Sequence, residues 1–88
     1  MLFMVIERFK DIRALSERFK RRGRMLPDGV VYHASWVEPG GTRCFQVMEA
    51  DSAELIEVWA SNWQDLADFE IVPVLTSQQF WAEFDKTT

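Results

Sequence analysis

"LFMVIERF", residues 2–9, is apolar on both parities: Leu2, Met4 and Ile6 fall on one side of an extended chain, Phe3, Val5 and Phe9 on the other. A strand with one wet face alternates apolar and polar residues. One that is apolar on both sides is covered on both sides and belongs in the middle of a sheet. The rest of the chain has to supply that cover.

Asp11 stands where a helix N-cap is expected, and Ile12, Leu15 and Phe19 then recur at helical spacing, with Arg13, Glu17, Arg18, Lys20 and Arg21 on the other side. Gly23 and Pro27 close this helix, and "PDG" at 27–29 is a turn signature. "VVYHASWVE" (30–38) and "TRCFQVMEA" (42–50) are rich in β-branched and aromatic residues and flank Pro39, Gly40 and Gly41, which predicts a hairpin. Asp51 and Glu54 have capping-box spacing, and Leu55, Val58, Trp59 and Asn62 follow on one side of a second helix. "DFEIVPVL" (68–75) reads as a fourth strand, which Pro73 confines to a sheet edge because it cannot donate to a ladder. A short last helix, "SQQFWAEF", carries Phe80, Trp81 and Phe84 on one side, with Thr76 and Gln79 at capping-box spacing.

The order strand, helix, strand, strand, helix, strand, with a terminal helix, predicts an α+β, ferredoxin-like βαββαβ plan: a four-stranded antiparallel sheet in the order 4-1-3-2, with two helices on one face. Residues 1–88 are read as one domain of this kind. Two helices cover only one face of such a sheet, yet the first strand is apolar on both. A sheet-to-sheet homodimer is the expected remedy for a chain of 88 residues.

Composition narrows the function. The chain is 48% apolar with seven Phe and four Trp, which is too rich for disorder. One Cys and one His exclude an intrachain disulfide and a cysteine-built zinc site, so neither a metal nor another cofactor is expected. Eight of the ten Lys and Arg residues lie between Arg8 and Arg24, but the net charge is −4, which argues against a nucleic-acid partner. No membrane-spanning run or signal-peptide core is read, and a cytoplasmic location is expected.

The stretches "MLFMVIERF", "GRMLPDGVVY", "SWVE", "RCFQVMEAD" and "DFEIVPV" resemble the domain-of-unknown-function family numbered three-three-zero-three, a family of short bacterial proteins, over almost the whole chain. That resemblance implies no known activity. The plan is also similar to the dimeric α/β-barrel superfamily, which includes cofactor-free monooxygenases, haem-handling proteins and plain ligand binders. No catalytic motif of those enzymes carries over, so whether the chain is an enzyme stays open.

Alternation on the third strand puts Cys44, Gln46 and Met48 on one face and Arg43, Phe45, Val47 and Glu49 on the other. If Glu7 and Glu70 share the face of Gln46, three polar groups gather among Phe3, Val5 and Met48; strand register decides this. Such a carboxyl would bind or protonate a small polar molecule, whereas the plainer reading pairs Glu7 with Arg43 or Arg24 or leaves it in water. His33 is the first candidate for acid–base work, with Ser35 on its own strand face, and is equally an exposed edge residue. Trp36, Trp59, Trp63 and Trp81 read as core or dimer contacts, or as walls for a flat ligand. Cys44 reads as a small buried hydrophobe. Arg22 or Arg24, at the end of the first helix, is placed to hold an anion over a pocket mouth. The expected function is binding of a small, partly aromatic or anionic molecule between sheet and helices, with cofactor-free chemistry as an extension. The alternative is a structural or protein-interaction module.

Overall fold

The computed structural model describes residues 1–87. The elements in chain order are β1 (Leu2–Phe9), α1 (Ile12–Arg22), β2 (Val31–Val37), β3 (Arg43–Glu49), α2 (Ala53–Ser61), β4 (Ala67–Val74) and α3 (Ser77–Thr87). The four strands form one antiparallel sheet in the order β2-β3-β1-β4, the expected ferredoxin-like order read from the other edge. β1 is central, and Pro73 lies on the edge strand β4 opposite Phe3.

The side of the sheet that meets α1 and α2 holds the core. Phe3, Val5, Met48 and Ile56 are completely buried and pack with Trp59, Ala60 and Trp63. Each large side chain removed from water this way stabilises the fold by about 1.5–3 kcal/mol. α1 starts as expected, with the Asp11 carboxylate accepting from the Ala14 amide at 3.1 Å. It ends at Gly23, whose φ of +68° suits a residue without a Cβ and whose N–H reaches the Phe19 carbonyl at 2.8 Å. No residue of α1 is fully buried, so this helix roofs the sheet loosely. Arg18 fastens it to the chain after α2, with a two-pronged bond to Asp65 at 2.7 and 2.8 Å and a third to the Asn62 carbonyl at 2.9 Å.

α2 departs from expectation. Its N-cap is Ser52, not Asp51, and no side chain caps it, so the expected Asp51–Glu54 box does not form. The buried stripe is Ile56, Trp59 and Ala60, continued by Trp63 just past the helix, while Val58 faces water. α3 has the expected box: the Gln79 amide donates to Thr76 Oγ1 at 3.1 Å, and the Thr76 amide donates to Gln79 Oε1 at 3.0 Å.

The second face of the sheet has no helix of the core layer over it. Leu2, Met4, Ile6, Phe45 and Val47 are only half-buried there, and Trp36 is 59% exposed. The aromatic stripe of α3 is also open to water; Phe80, Trp81 and Phe84 contact one another at ring distances of 5.0–6.1 Å.

Candidate functional site

A cavity of about 170 Å³ lies under the loose roof of α1. Leu15 and Phe19 of α1 and Trp59 and Trp63 from the α2 region form its apolar walls, and Glu7, Cys44 and Gln46 form its floor on the sheet. The floor is set by register: Val5 sits opposite Gln46 and Glu7 opposite Cys44, so Glu7 and Gln46 are diagonal neighbours on one face. A larger hollow of about 320 Å³, at the end of β1 between Met1, Glu49 and Gln79, has no buried side chain in its lining.

Three polar side chains form a chain across the floor. Arg24 Nη1 donates to Gln46 Oε1 at 2.8 Å, and Gln46 Nε2 donates to Glu7 Oε1 at 2.8 Å. Glu7 and Gln46 are 5% and 2% exposed, so both are largely removed from water, and the bond between them gives each a partner. Burial pushes the Glu7 carboxyl above its ordinary range; the Gln46 bond and the Arg24 charge pull it the other way and are outweighed. Burial, helped by the Glu7 charge and opposed by Arg24, pushes the Cys44 thiol up to about 11. This thiol is therefore neutral in the physiological range.

Arg24 is held from three directions. Its backbone carbonyl accepts from the indole N–H of Trp59 at 2.9 Å and from that of Trp63 at 3.1 Å. Its guanidinium lies 3.7 Å from the Tyr32 ring centroid and 5.2 Å from that of Phe19, within cation–π range of both. The next residue, Met25, takes φ +61°, a left-handed conformation unusual for a side chain of this size, and Asn62 Nδ2 donates to its carbonyl at 3.3 Å. The spacing of Trp59 and Trp63, one helical turn apart, brings both indoles to a single acceptor.

Of the candidate residues, Glu7, Arg24, Gln46, Trp59 and Trp63 line this one cavity. Glu70 does not join them. It lies opposite Ile6, on the open face, because the register pairs Glu7 with Phe69 instead. His33 and Trp36 are also elsewhere. A β-bulge between Tyr32 and Ala34 inserts His33 as an extra residue, so the parity of β2 changes across it. His33 Nε2 pairs with Glu49 Oε1 at 2.8 Å in water, and Trp36 stands beside Phe45 on the open face. The expected sharing of a face by His33 and Ser35 fails for the same reason. Ser35 turns to the cavity, where its hydroxyl lies 2.6 Å from that of Tyr32. Sequence reasoning did not place Ser35, Val37 or Phe9 at the site; only the bulge reveals the first two, and Phe9 needed the position of the cavity along β1.

The fold and the cavity define a small α+β protein with a ferredoxin-like sheet and a largely apolar pocket built around a buried carboxyl. The family model Domain of unknown function (DUF3303) matches residues 1–87, and the chain belongs to that family. No curated protein and no solved structure matches it. No helix among the described residues is long and apolar enough to cross a membrane.

Proposed function

We propose that this protein binds a small, partly aromatic or anionic molecule in the cavity between the sheet and α1–α2. The observation that carries this reading is an apolar cavity of about 170 Å³ whose floor holds the Arg24–Gln46–Glu7 chain. Specific small-molecule sites combine apolar walls with a few fixed polar groups in this way. An engineered apolar cavity of about 150 Å³ takes up benzene, so the volume suits one six-membered ring.

The tryptophans make the test simple. Trp59 and Trp63 line the cavity, whereas Trp36 and Trp81 are exposed away from it. In ¹⁵N-correlated NMR spectra, single-ring fragments should move the indole signals of the first pair and leave those of the second in place. Fragments that move no indole signal, or all four alike, would contradict the reading.

A second reading, not exclusive of the first, is favoured by the open face. The half-buried Met4, Ile6, Phe45 and Val47, together with exposed Trp36, make a contiguous apolar surface of the kind that marks a protein interface. A homodimer joined sheet to sheet would cover it.

A further inference from the structure

We infer that the molecule taken by this pocket is a carboxylate on a single ring, with the ring against Trp59 and Trp63 and the carboxylate between the guanidinium of Arg24 and the carboxyl of Glu7. The inference rests on the ligand-binding reading above. Arg24 supplies its first support. Arg18 and Arg43 each hold a carboxylate, but among the described residues no carboxylate comes within 4.0 Å of the Arg24 guanidinium. Its side chain spends a single donor, on Gln46, out of five. A cation fixed between two rings at the wall of an apolar cavity, with donors to spare, is preorganised for a planar anion, which a guanidinium fork binds in two-pronged fashion.

Glu7 supplies the second. Oε1 accepts from Gln46, and no group among the described residues bonds to Oε2. No side-chain polar atom among the described residues is both sealed from water and unpartnered, so Oε2 keeps some accessible surface, and Glu7 lines the cavity. A carboxyl that keeps its proton can donate to a carboxylate, and burial favours that form here. The other titratable groups lining the cavity are Arg24 and Cys44, and the Cys44 thiol is neutral, so nothing else there competes for or repels the anion.

Calorimetric titration of the intact protein with benzoate and with its neutral counterpart benzamide separates the claims. Benzoate should bind at least about tenfold tighter, the share expected of one charge-assisted hydrogen bond. Its affinity should fall as the pH rises above the ordinary carboxylate range and Glu7 ionises, and that fall should disappear in Glu7→Gln. Arg24→Gln should erase the preference while still binding benzamide; if this variant loses benzamide as well, the ratio in the unaltered protein decides. Benzamide binding as tightly as benzoate overturns the carboxylate inference and leaves the pocket standing. Binding of neither ring removes both readings. A benzoate affinity that is flat or rising with pH overturns the role given to Glu7.

Discussion

Gln46 donates to Glu7 at 2.8 Å from the diagonal position on the neighbouring strand, and both side chains are almost wholly out of water. The amide has a direction: its oxygen is taken by Arg24, so its nitrogen is left for the carboxyl. Gln46 thus joins a buried acid to a half-buried cation without the two touching. The acid is desolvated more than it is compensated, and its proton is held more tightly than in the unfolded chain.

This gives a pH dependence with a definite sign. For Glu7 the folded state binds the proton more strongly, so its contribution to stability is complete below about pH 4.3, where an unfolded glutamate titrates. It is then lost as the pH rises through the folded-state value. Glu7→Gln removes the titration and keeps an oxygen for Gln46. Urea unfolding from about pH 4 to 8 should show the variant gaining on the unaltered protein as the pH rises. Glu38 and Asp65, whose carboxyls Arg43 and Arg18 hold low, act in the opposite sense but are present in both proteins and cancel. A difference in stability that stays constant with pH would defeat the prediction.

The two indoles on the Arg24 carbonyl predict a coupling. Trp59→Phe or Trp63→Phe leaves that carbonyl one donor, and each change should cost about 1 kcal/mol for the lost hydrogen bond, with some further loss of packing. The double variant leaves the carbonyl bare and should cost about 1 kcal/mol more than the sum. Chemical denaturation of the four proteins measures this. Additivity to within about 0.3 kcal/mol would mean that the carbonyl does not depend on the pair.

How far these features can be read in the sequence depends on how local their causes are. The central place of β1 follows from apolar residues on both parities of eight positions, and the edge place of β4 from Pro73. Both are properties of single residues or of a short period, and the structure has both. The Thr76–Gln79 box is local in the same way. The composition of the site was less legible. The face of Glu70 depends on the register of β4 against β1, which the pattern of neither strand carries, and that register sets it opposite Ile6. His33 and Trp36 lie away from the cavity because of the bulge at Tyr32/Ala34, which no glycine or proline announces. Helical spacing predicts a stripe of Leu55, Val58, Trp59 and Asn62 on α2, whereas packing on Phe3 and Met48 selects Ile56, Trp59, Ala60 and Trp63.

The open face predicts the effect of one charge. Val47 lies on it between Met4 and Ala34, half-buried. In a lone chain, a glutamate there would reach water and disturb little. In a sheet-to-sheet dimer it would be buried without a partner, at a cost of several kcal/mol. Sedimentation equilibrium at micromolar concentration should therefore give a dimer for the unaltered protein and a monomer for Val47→Glu, with unchanged far-ultraviolet circular dichroism. An unaltered protein that sediments as a monomer would end the dimer reading, whatever the variant does.

Cys44 provides a reporter inside the cavity itself. An ordinary thiol, with a pKa of about 8.5, is roughly one quarter thiolate at pH 8, whereas a value of about 11 leaves roughly one part in a thousand. Only the thiolate is alkylated, and the side chain is also buried. Iodoacetamide at pH 8 should therefore react at least about 100-fold more slowly with the folded chain than with the chain in urea. The slow reaction should become slower still with benzoate present, because Cys44 lies on the same floor as Glu7 and Gln46. Mass spectrometry of timed samples gives both rates. A folded-state rate within tenfold of the unfolded one would show the floor open to solvent, and the desolvation that raises both Cys44 and Glu7 would then fail together.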